Sequence, residues 1–336
     1  MSNLNLKFLF VFIGSLLLQT NSLTATKIYS NKDFDDGNDS SQTIAIKINK
    51  SVGYKTIVRY KDAFIAAGSG GRIDRLSAAG KIVKSDTIVG ETFTSLLVIG
   101  QKFLAGGNKG SVLIFSENGT FQRISTDTDK NINSLTLFKE LVIAGTDNGE
   151  LLIGNGIEPF RKIKLSITGN VVSVSARTAD CFGTTNQGEI IHTTDGINWD
   201  ILDFNKAYAG YYKPCRFTSI LATPSSIAVA GIHDDGSPVL LFSNKGNVWS
   251  ERSLNYTNDD GTGGSLTDSP NNIYYHDTRD EFYLACDNGK LMKIPSCSHC
   301  NKVFNLRVVN LFGISGTESD IVVAGDNYSV ESIQLN

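Results

Sequence analysis

The chain is expected to fold as an all-β protein, a single β-propeller of seven four-stranded blades. Three observations predict it: a glycine-punctuated motif that returns every 39 residues, short apolar runs between turn residues, and a composition suited to many tight turns. Residues 62–73 resemble residues 101–112, 140–151 and 179–190, and Gly71, Gly110, Gly149 and Gly188 follow one another at intervals of 39. A fixed period of about 40 residues is the mark of a repeat architecture. The motif continues less regularly at residues 227–231 with Gly236, at 282–286 with Gly289, and at 321–325.

Each repeat has the same grammar. In the second, residues 94–99, 102–106 and 111–115 are apolar runs and residues 121–125 form a more polar, outer one. Runs of about five residues rich in Val, Ile, Leu and Phe, separated by Gly and Asn, read as strands. Gly supplies the positive φ that tight hairpin turns need, and Asn tolerates it next best. With 32 Gly against 6 Pro, the chain is equipped for such turns. Four antiparallel strands per repeat is the form of a propeller blade, whereas a parallel β-helix needs shorter coils. Blades are expected to begin near Lys55, Thr94, Ser134, Val171, Thr218, Ile273 and Leu311. Counts of six or eight blades stay open. The last repeat supplies three strands, and the alternating segment 43–48 is expected to donate the fourth, closing the ring and removing two sheet edges.

The N-terminus reads as a targeting signal. Lys7 precedes an apolar run at residues 8–18, followed by a small, polar stretch to Ala25. The run is too short to cross a hydrocarbon core about 30 Å thick as a helix, so cleavage is expected after Ser22 or Ala25 rather than retention as an anchor. The expected organisation is a signal peptide at 1–25, an acidic linker at 26–42 and the propeller at 43–336. The carboxylates of residues 33–39 lack the alternating spacing and distal Glu of a calcium loop. The protein is therefore expected to be secreted, to the extracellular space, the secretory lumen or a bacterial periplasm, with no membrane span after cleavage. A formal charge of −3 from 31 basic and 34 acidic residues argues against an electrostatic nucleic-acid binder. Sequons at Asn118 and Asn255 are the glycosylation candidates.

The five cysteines are Cys181, Cys215, Cys286, Cys297 and Cys300. Their odd number leaves at least one thiol free or paired between chains. Cys297 and Cys300 are expected to form a local disulfide. Zinc would need four ligands, and no second Cys/His pair stands at a partner spacing. Cys181 and Cys286 read as buried small hydrophobes. The histidines His192, His233, His276 and His299 fall in different repeats or turns, with no Ser or Cys nucleophile expected beside them. No metal, cofactor or catalytic residue is expected.

Residues 190–199 resemble the Asp-box, or BNR, motif of sialidase-type and photosystem-assembly-factor-type propellers, through Thr193, Asp195, Gly196 and Trp199. Ser243, Gly246 and Trp249 repeat the spacing with Lys245 in place of Asp, and Ser116 and Gly119 keep part of it. The resemblance implies a structural hairpin between third and fourth strands, with the Trp packed between blades. The arginine cluster that a sialidase would require is absent: Arg72, Arg75, Arg123, Arg177, Arg216 and Arg279 are scattered.

Turns between second and third strands share a face with the connections between blades. Departures from the 39-residue period at 205–215, at 255–264 and at the turn holding His233, Asp234 and Asp235 therefore project together. Tyr208, Tyr211, Tyr212, His233, Asp234 and Asp235 are the expected binding patch, because insertions in repeat proteins usually map to the functional face. Tyr joins a broad contact surface to a polar tip, which suits protein or glycan partners. The expected function is a monomeric, secreted binding module for such a partner. The alternatives are a secreted hydrolase or lyase, with a sialidase-like glycosidase the nearest, or an assembly or folding factor.

Overall fold

A computed structural model describes residues 52–296 and 300–335. Blade 1 consists of β1 (Tyr54–Tyr60), β2 (Ala63–Gly68), β3 (Arg72–Leu76) and β4 (Ile82–Thr87). Blade 2 follows with β5 (Phe93–Ile99), β6 (Lys102–Gly107), β7 (Val112–Phe115) and β8 (Phe121–Ile124). Blade 3 has β9 (Ile132–Phe138), β10 (Leu141–Thr146), β11 (Glu150–Gly154) and β12 (Arg161–Lys164). Blade 4 has β13 (Val171–Ala176), β14 (Cys181–Thr185), β15 (Glu189–Thr193) and β16 (Asp200–Asp203), and the short helix α1 (Phe204–Ala207) leads out of it. Blade 5 has β17 (Cys215–Ala222), β18 (Ile227–His233), β19 (Pro238–Ser243) and the two-residue β20 (Ser250–Glu251). A separate hairpin, β21 (Asn255–Thr257) and β22 (Gly263–Ser265), precedes blade 6. That blade has β23 (Pro270–His276), β24 (Glu281–Cys286), β25 (Lys290–Pro295) and β26 (Lys302–Asn305). Blade 7 is three-stranded, with β27 (Leu311–Gly316), β28 (Asp320–Gly325) and β29 (Val330–Gln334).

Every blade is an antiparallel meander in chain order, six of them four-stranded. The fold is a seven-bladed β-propeller. The signal and linker segments at 1–25 and 26–42, and the expected closing strand at 43–48, lie outside the described residues. Seven apolar clusters account for the seven interfaces between neighbouring blades. One joins Tyr54, Ile57 and Phe64 of blade 1 to Val322 and Ala324 of blade 7, so the ring is closed by packing. Polar groups reinforce this seam. The Tyr54 hydroxyl donates to the fully buried Asp74, Arg72 lies 2.9 Å from the same carboxylate, and the Tyr328 hydroxyl donates to the Ser69 carbonyl at 2.7 Å.

The 39-residue period has a physical cause in the turn between second and third strands. In each blade the first residue of that turn donates its N–H to the carbonyl just before the innermost strand. Asn108 does so to Thr92 at 3.0 Å, Asp147 to Asn131 at 3.2 Å, and Asp326 to Asn310 at 3.2 Å. The side chains repeat the link: Asn108 Oδ1 accepts from Thr92 N–H at 2.9 Å, and Asn310 Nδ2 donates to Asp326 at 2.7 Å. Two residues on, in blades 1 to 4 and 6, a glycine adopts a left-handed conformation under the chain leaving the fourth strand. At Gly71 φ is +72°, and a Cβ would stand 1.8 Å from the Ile88 carbonyl oxygen. Only glycine fits such a position. Most Asn and Asp residues of this face are therefore occupied in holding turns.

The hairpin after β15 is built on Asp195. Its carboxylate accepts the Ile197 and Asn198 N–H groups, each at 2.8 Å, and the Thr193 hydroxyl accepts the Gly196 N–H at 2.9 Å. These bonds, first of all the one from Ile197, hold the Asp195 carboxyl below the usual carboxylate range. Gly196 has φ +79° and faces Leu141 and Phe138 of blade 3. Trp199 packs on the cluster between blades 3 and 4, and the buried Trp249 sits in the cluster between blades 4 and 5.

Candidate functional site: a cleft at the outer edge of blade 5

Three departures from the repeat converge on blade 5. The first is the shortness of β20, which pairs only with Leu241 and Phe242 and leaves the start of β19 without an outer neighbour. Pro238 stands at that edge, where its lack of an N–H costs no ladder bond. The second is the connection from blade 4. Asp203 caps α1, accepting the Lys206 N–H at 3.0 Å, and the chain then turns back through Gly210. The third is the hairpin β21–β22, pinned to blade 6 because Asn301 Nδ2 donates to the carbonyls of Ser253 and Asn255 at 3.0 and 2.8 Å.

Between these segments lies a cleft of about 490 Å³, lined among others by Tyr211, Tyr212, His233, Pro238, Glu251 and Leu254. Its size falls in the range of small-molecule and side-chain pockets. Lys213 and Arg252 add positive charge to the lining. The sequon residue Asn255 lies on the same wall, exposed, and accepts a hydrogen bond from Ser265. The other sequon residue, Asn118, is exposed in the β7–β8 turn and accepts the Thr120 N–H at 3.0 Å.

The expected patch is brought together in part. Tyr211 is 85% exposed at the cleft. Tyr208 and Tyr212 instead fold onto Phe204, with ring centroids 4.6 and 5.8 Å away, and join the core between blades 4 and 5. Their hydroxyls reach the backbone of blade 5 at Asn247 and Trp249. Burying two rings against a Phe stabilises the connection more than exposing them would. His233 is not a loop residue: it ends β18 and is only 5% exposed. Asp234 is exposed, 3.8 Å from Arg216, and its N–H makes blade 5's copy of the turn bond, to Pro214 at 3.0 Å. Asp235 pairs with Lys213 at 2.6 Å, and that pairing, with bonds from Ser237, lowers its carboxyl below the ordinary range.

One neighbour was not expected. Cys215 Sγ lies 3.4 Å from His233 Nδ1, and His233 Nε2 lies 3.6 Å from Glu251. The β17–β18 register sets Cys215 opposite His233, so pairing the two strands across their hairpin would have revealed it. A Cys–His–carboxylate series has the order of an activated nucleophile. The environment opposes that chemistry. Cys215 is fully buried, its thiol contacts the Lys213 carbonyl oxygen at 3.2 Å, and burial with Glu251 and Asp234 pushes the thiol up to about 12. A thiol so raised is not the thiolate that attacks. Cys181 and Cys286 are free and buried, and burial raises both. Cys300 is disulfide-bonded, and Cys297, its expected partner, lies outside the described residues.

Neither a family model nor a curated protein matches the chain. Solved structures do. The WD40 β-propeller domain of Doa1 superposes with a TM-score of 0.64 at 10% identity, over 86% of this chain and 94% of that one. The computationally designed Ika8 protein gives a TM-score of 0.59 at 9% identity, over 84% and 83%. At these identities the likeness is one of fold. Among the described residues no helix is long and apolar enough to cross a membrane, and no group of three His, Cys, Asp or Glu could hold a metal ion.

Proposed function

We propose that the chain is a secreted, monomeric interaction module that takes a protein or glycan partner into the cleft at the outer edge of blade 5. The observation that carries this reading is Tyr211, held 85% exposed over a cleft made where the repeat is broken. An aromatic ring kept in solvent beside an apolar floor of Pro238 and Leu254 is the composition of a recognition hot spot. Glu251, Lys213 and Arg252 supply charged groups along the lining. The buried thiol of Cys215 favours binding over hydrolysis. In this reading the Thr193–Trp199 hairpin is an Asp-box with a purely structural duty, which relates the chain to BNR-type propellers. The test uses the full secreted chain on a glycan array and as bait in the native secretome, alongside Tyr211→Ala. A partner or glycan that loses at least about tenfold in affinity with Tyr211→Ala supports the reading. A partner held equally by both chains removes it.

A further inference from the structure

The hairpin β21–β22 stands between blades 5 and 6, where the other connections carry no strands of their own. Its first strand sets a sequon on the rim of the blade-5 cleft. Side chains alternate across β21. Tyr256 is half-buried and packs on the apolar cluster between blades 5 and 6, so Asn255 and Thr257 face outward together, both exposed. Those are the two side chains that asparagine glycosylation requires at a surface.

The Asn255 amide is held in place. Its Oδ1 accepts from the Ser265 hydroxyl across the hairpin, its backbone N–H donates to Ser253 Oγ, and its carbonyl accepts from Asn301. Among the described residues Nδ2 donates no hydrogen bond, so that nitrogen can carry a sugar without breaking one.

Asn255 itself lines the cleft, together with Tyr211, Leu254 and Leu266. A sugar on Nδ2 therefore begins at the cleft wall, above a floor of two buried leucines. The exposed Tyr211 ring offers a flat apolar face with a polar tip, which suits the C–H face of a pyranose. The cations of the lining are engaged within the protein: Lys213 pairs with Asp235 at 2.6 Å, and Arg252 donates to the Pro295 carbonyl at 3.1 Å. A neutral ligand meets such a lining without stranding an ion, and its hydroxyls are donors for the Glu251 carboxylate. The N-acetylglucosamine core of an asparagine-linked glycan is neutral and hydroxylated.

We propose that Asn255 is a glycosylation site and that its own glycan lies in the blade-5 cleft, with a core sugar stacked on Tyr211. On the secretory reading above, on which this rests, the chain's glycan covers the cleft until a partner displaces it. The donor is a lipid-diphosphate-linked oligosaccharide of the secretory lumen. A bond forms between Asn255 Nδ2 and the anomeric carbon, and the bond from that carbon to the diphosphate oxygen breaks. The diphosphate leaves with the electron pair, and Nδ2 gives up one proton. Tethering then holds the sugar at an effective concentration on the order of millimolar, so a weak stack suffices.

The test uses the full chain, expressed with its own N-terminus in animal cells that leave glycans in the high-mannose form. Peptide mapping reads occupancy at Asn118 and Asn255, and an endoglycosidase that cleaves the glycan core reads access. Both sites are expected to be occupied. Release from Asn255 is expected to be at least about threefold slower in the folded chain than in the denatured one. Tyr211→Ala is expected to remove that difference, and Tyr211→Phe to keep it. Thr257→Ala, which removes the sequon and leaves Asn255 in place, is expected to raise hydrogen–deuterium exchange across residues 208–213. Asn118 occupied with Asn255 bare overturns the proposal and leaves the secretory reading standing; neither site occupied overturns both. Equal release from folded and denatured chains, slow release retained in Tyr211→Ala, or exchange unchanged in Thr257→Ala overturns the glycan's place in the cleft.

Discussion

Replacing Gly71 with alanine tests the physical origin of the repeat, with Gly90→Ala as its control. Both glycines have positive φ, +72° and +88°. A Cβ at Gly71 would meet the Ile88 carbonyl oxygen at 1.8 Å, whereas at Gly90 nothing lies within 4 Å. The left-handed conformation alone costs an L-residue about 1–2 kcal/mol, which is the whole expectation for Gly90→Ala. At Gly71 the chain leaving β4 must also retreat. That displacement adds about 1–3 kcal/mol of packing strain. It also weakens the bond from Ile88 N–H to the Gly71 carbonyl, 2.9 Å long, at a further cost of about 1 kcal/mol. At roughly 2–4 °C per kcal/mol, Gly90→Ala lowers the melting temperature by about 2–8 °C, and Gly71→Ala lowers it by at least about 4 °C more. Differential scanning calorimetry of the two variants reads the difference. Equal shifts would refute the close approach as the reason for glycine at 39-residue intervals.

Tyr54→Phe removes one of the two donors to the buried Asp74 carboxylate and is expected to cost about 1–3 kcal/mol in denaturant unfolding, with Tyr60→Phe as a less buried comparison. Deleting residues up to Lys50 is expected to lower the melting temperature sharply if the segment 43–48 supplies blade 7 with its fourth strand; an unchanged melt counts against that closure. Cys181, Cys215 and Cys286 are expected to resist a thiol reagent up to about pH 9 in the folded chain and to react on unfolding, since burial raises all three thiols. Asp195 titrates below its ordinary value of 3.8 in the folded chain, so its contribution is present above that value and disappears as pH falls through the folded one. Asp195→Asn should therefore be less stable than the parent at pH 7, with the gap narrowing in acid-unfolding curves below about pH 4.

Much of the fold was legible because turn chemistry is local. Gly71, Gly110, Gly149 and Gly188 mark the same turn in four blades, and the strands between them carry unmistakable apolar runs. The expected blade starts fall within three residues of the observed ones, the largest gap being Ile273 against Pro270 for β23 and Thr218 against Cys215 for β17. The register slip near the start of each innermost strand was not legible, although its first four positions, Lys55, Thr94, Asn133 and Val172, keep the 39-residue interval. Their chemical types differ, so no motif draws attention to them until the bulges align them. The cleft was half legible. Broken periodicity located it, but the fate of each tyrosine depends on whether Phe204 is near enough to stack on, which is a tertiary fact. The same holds for Cys215 and His233, eighteen residues apart in sequence and adjacent across a hairpin whose register the sequence leaves open.

Hydrogen–deuterium exchange of the full chain, with and without a partner captured from the secretome, tests the central claim most directly. The blade-5 reading predicts protection concentrated in residues 208–213, 233–238 and 251–266. Protection confined to the β7–β8 and β15–β16 turns of the opposite face, with those segments unchanged, would contradict it.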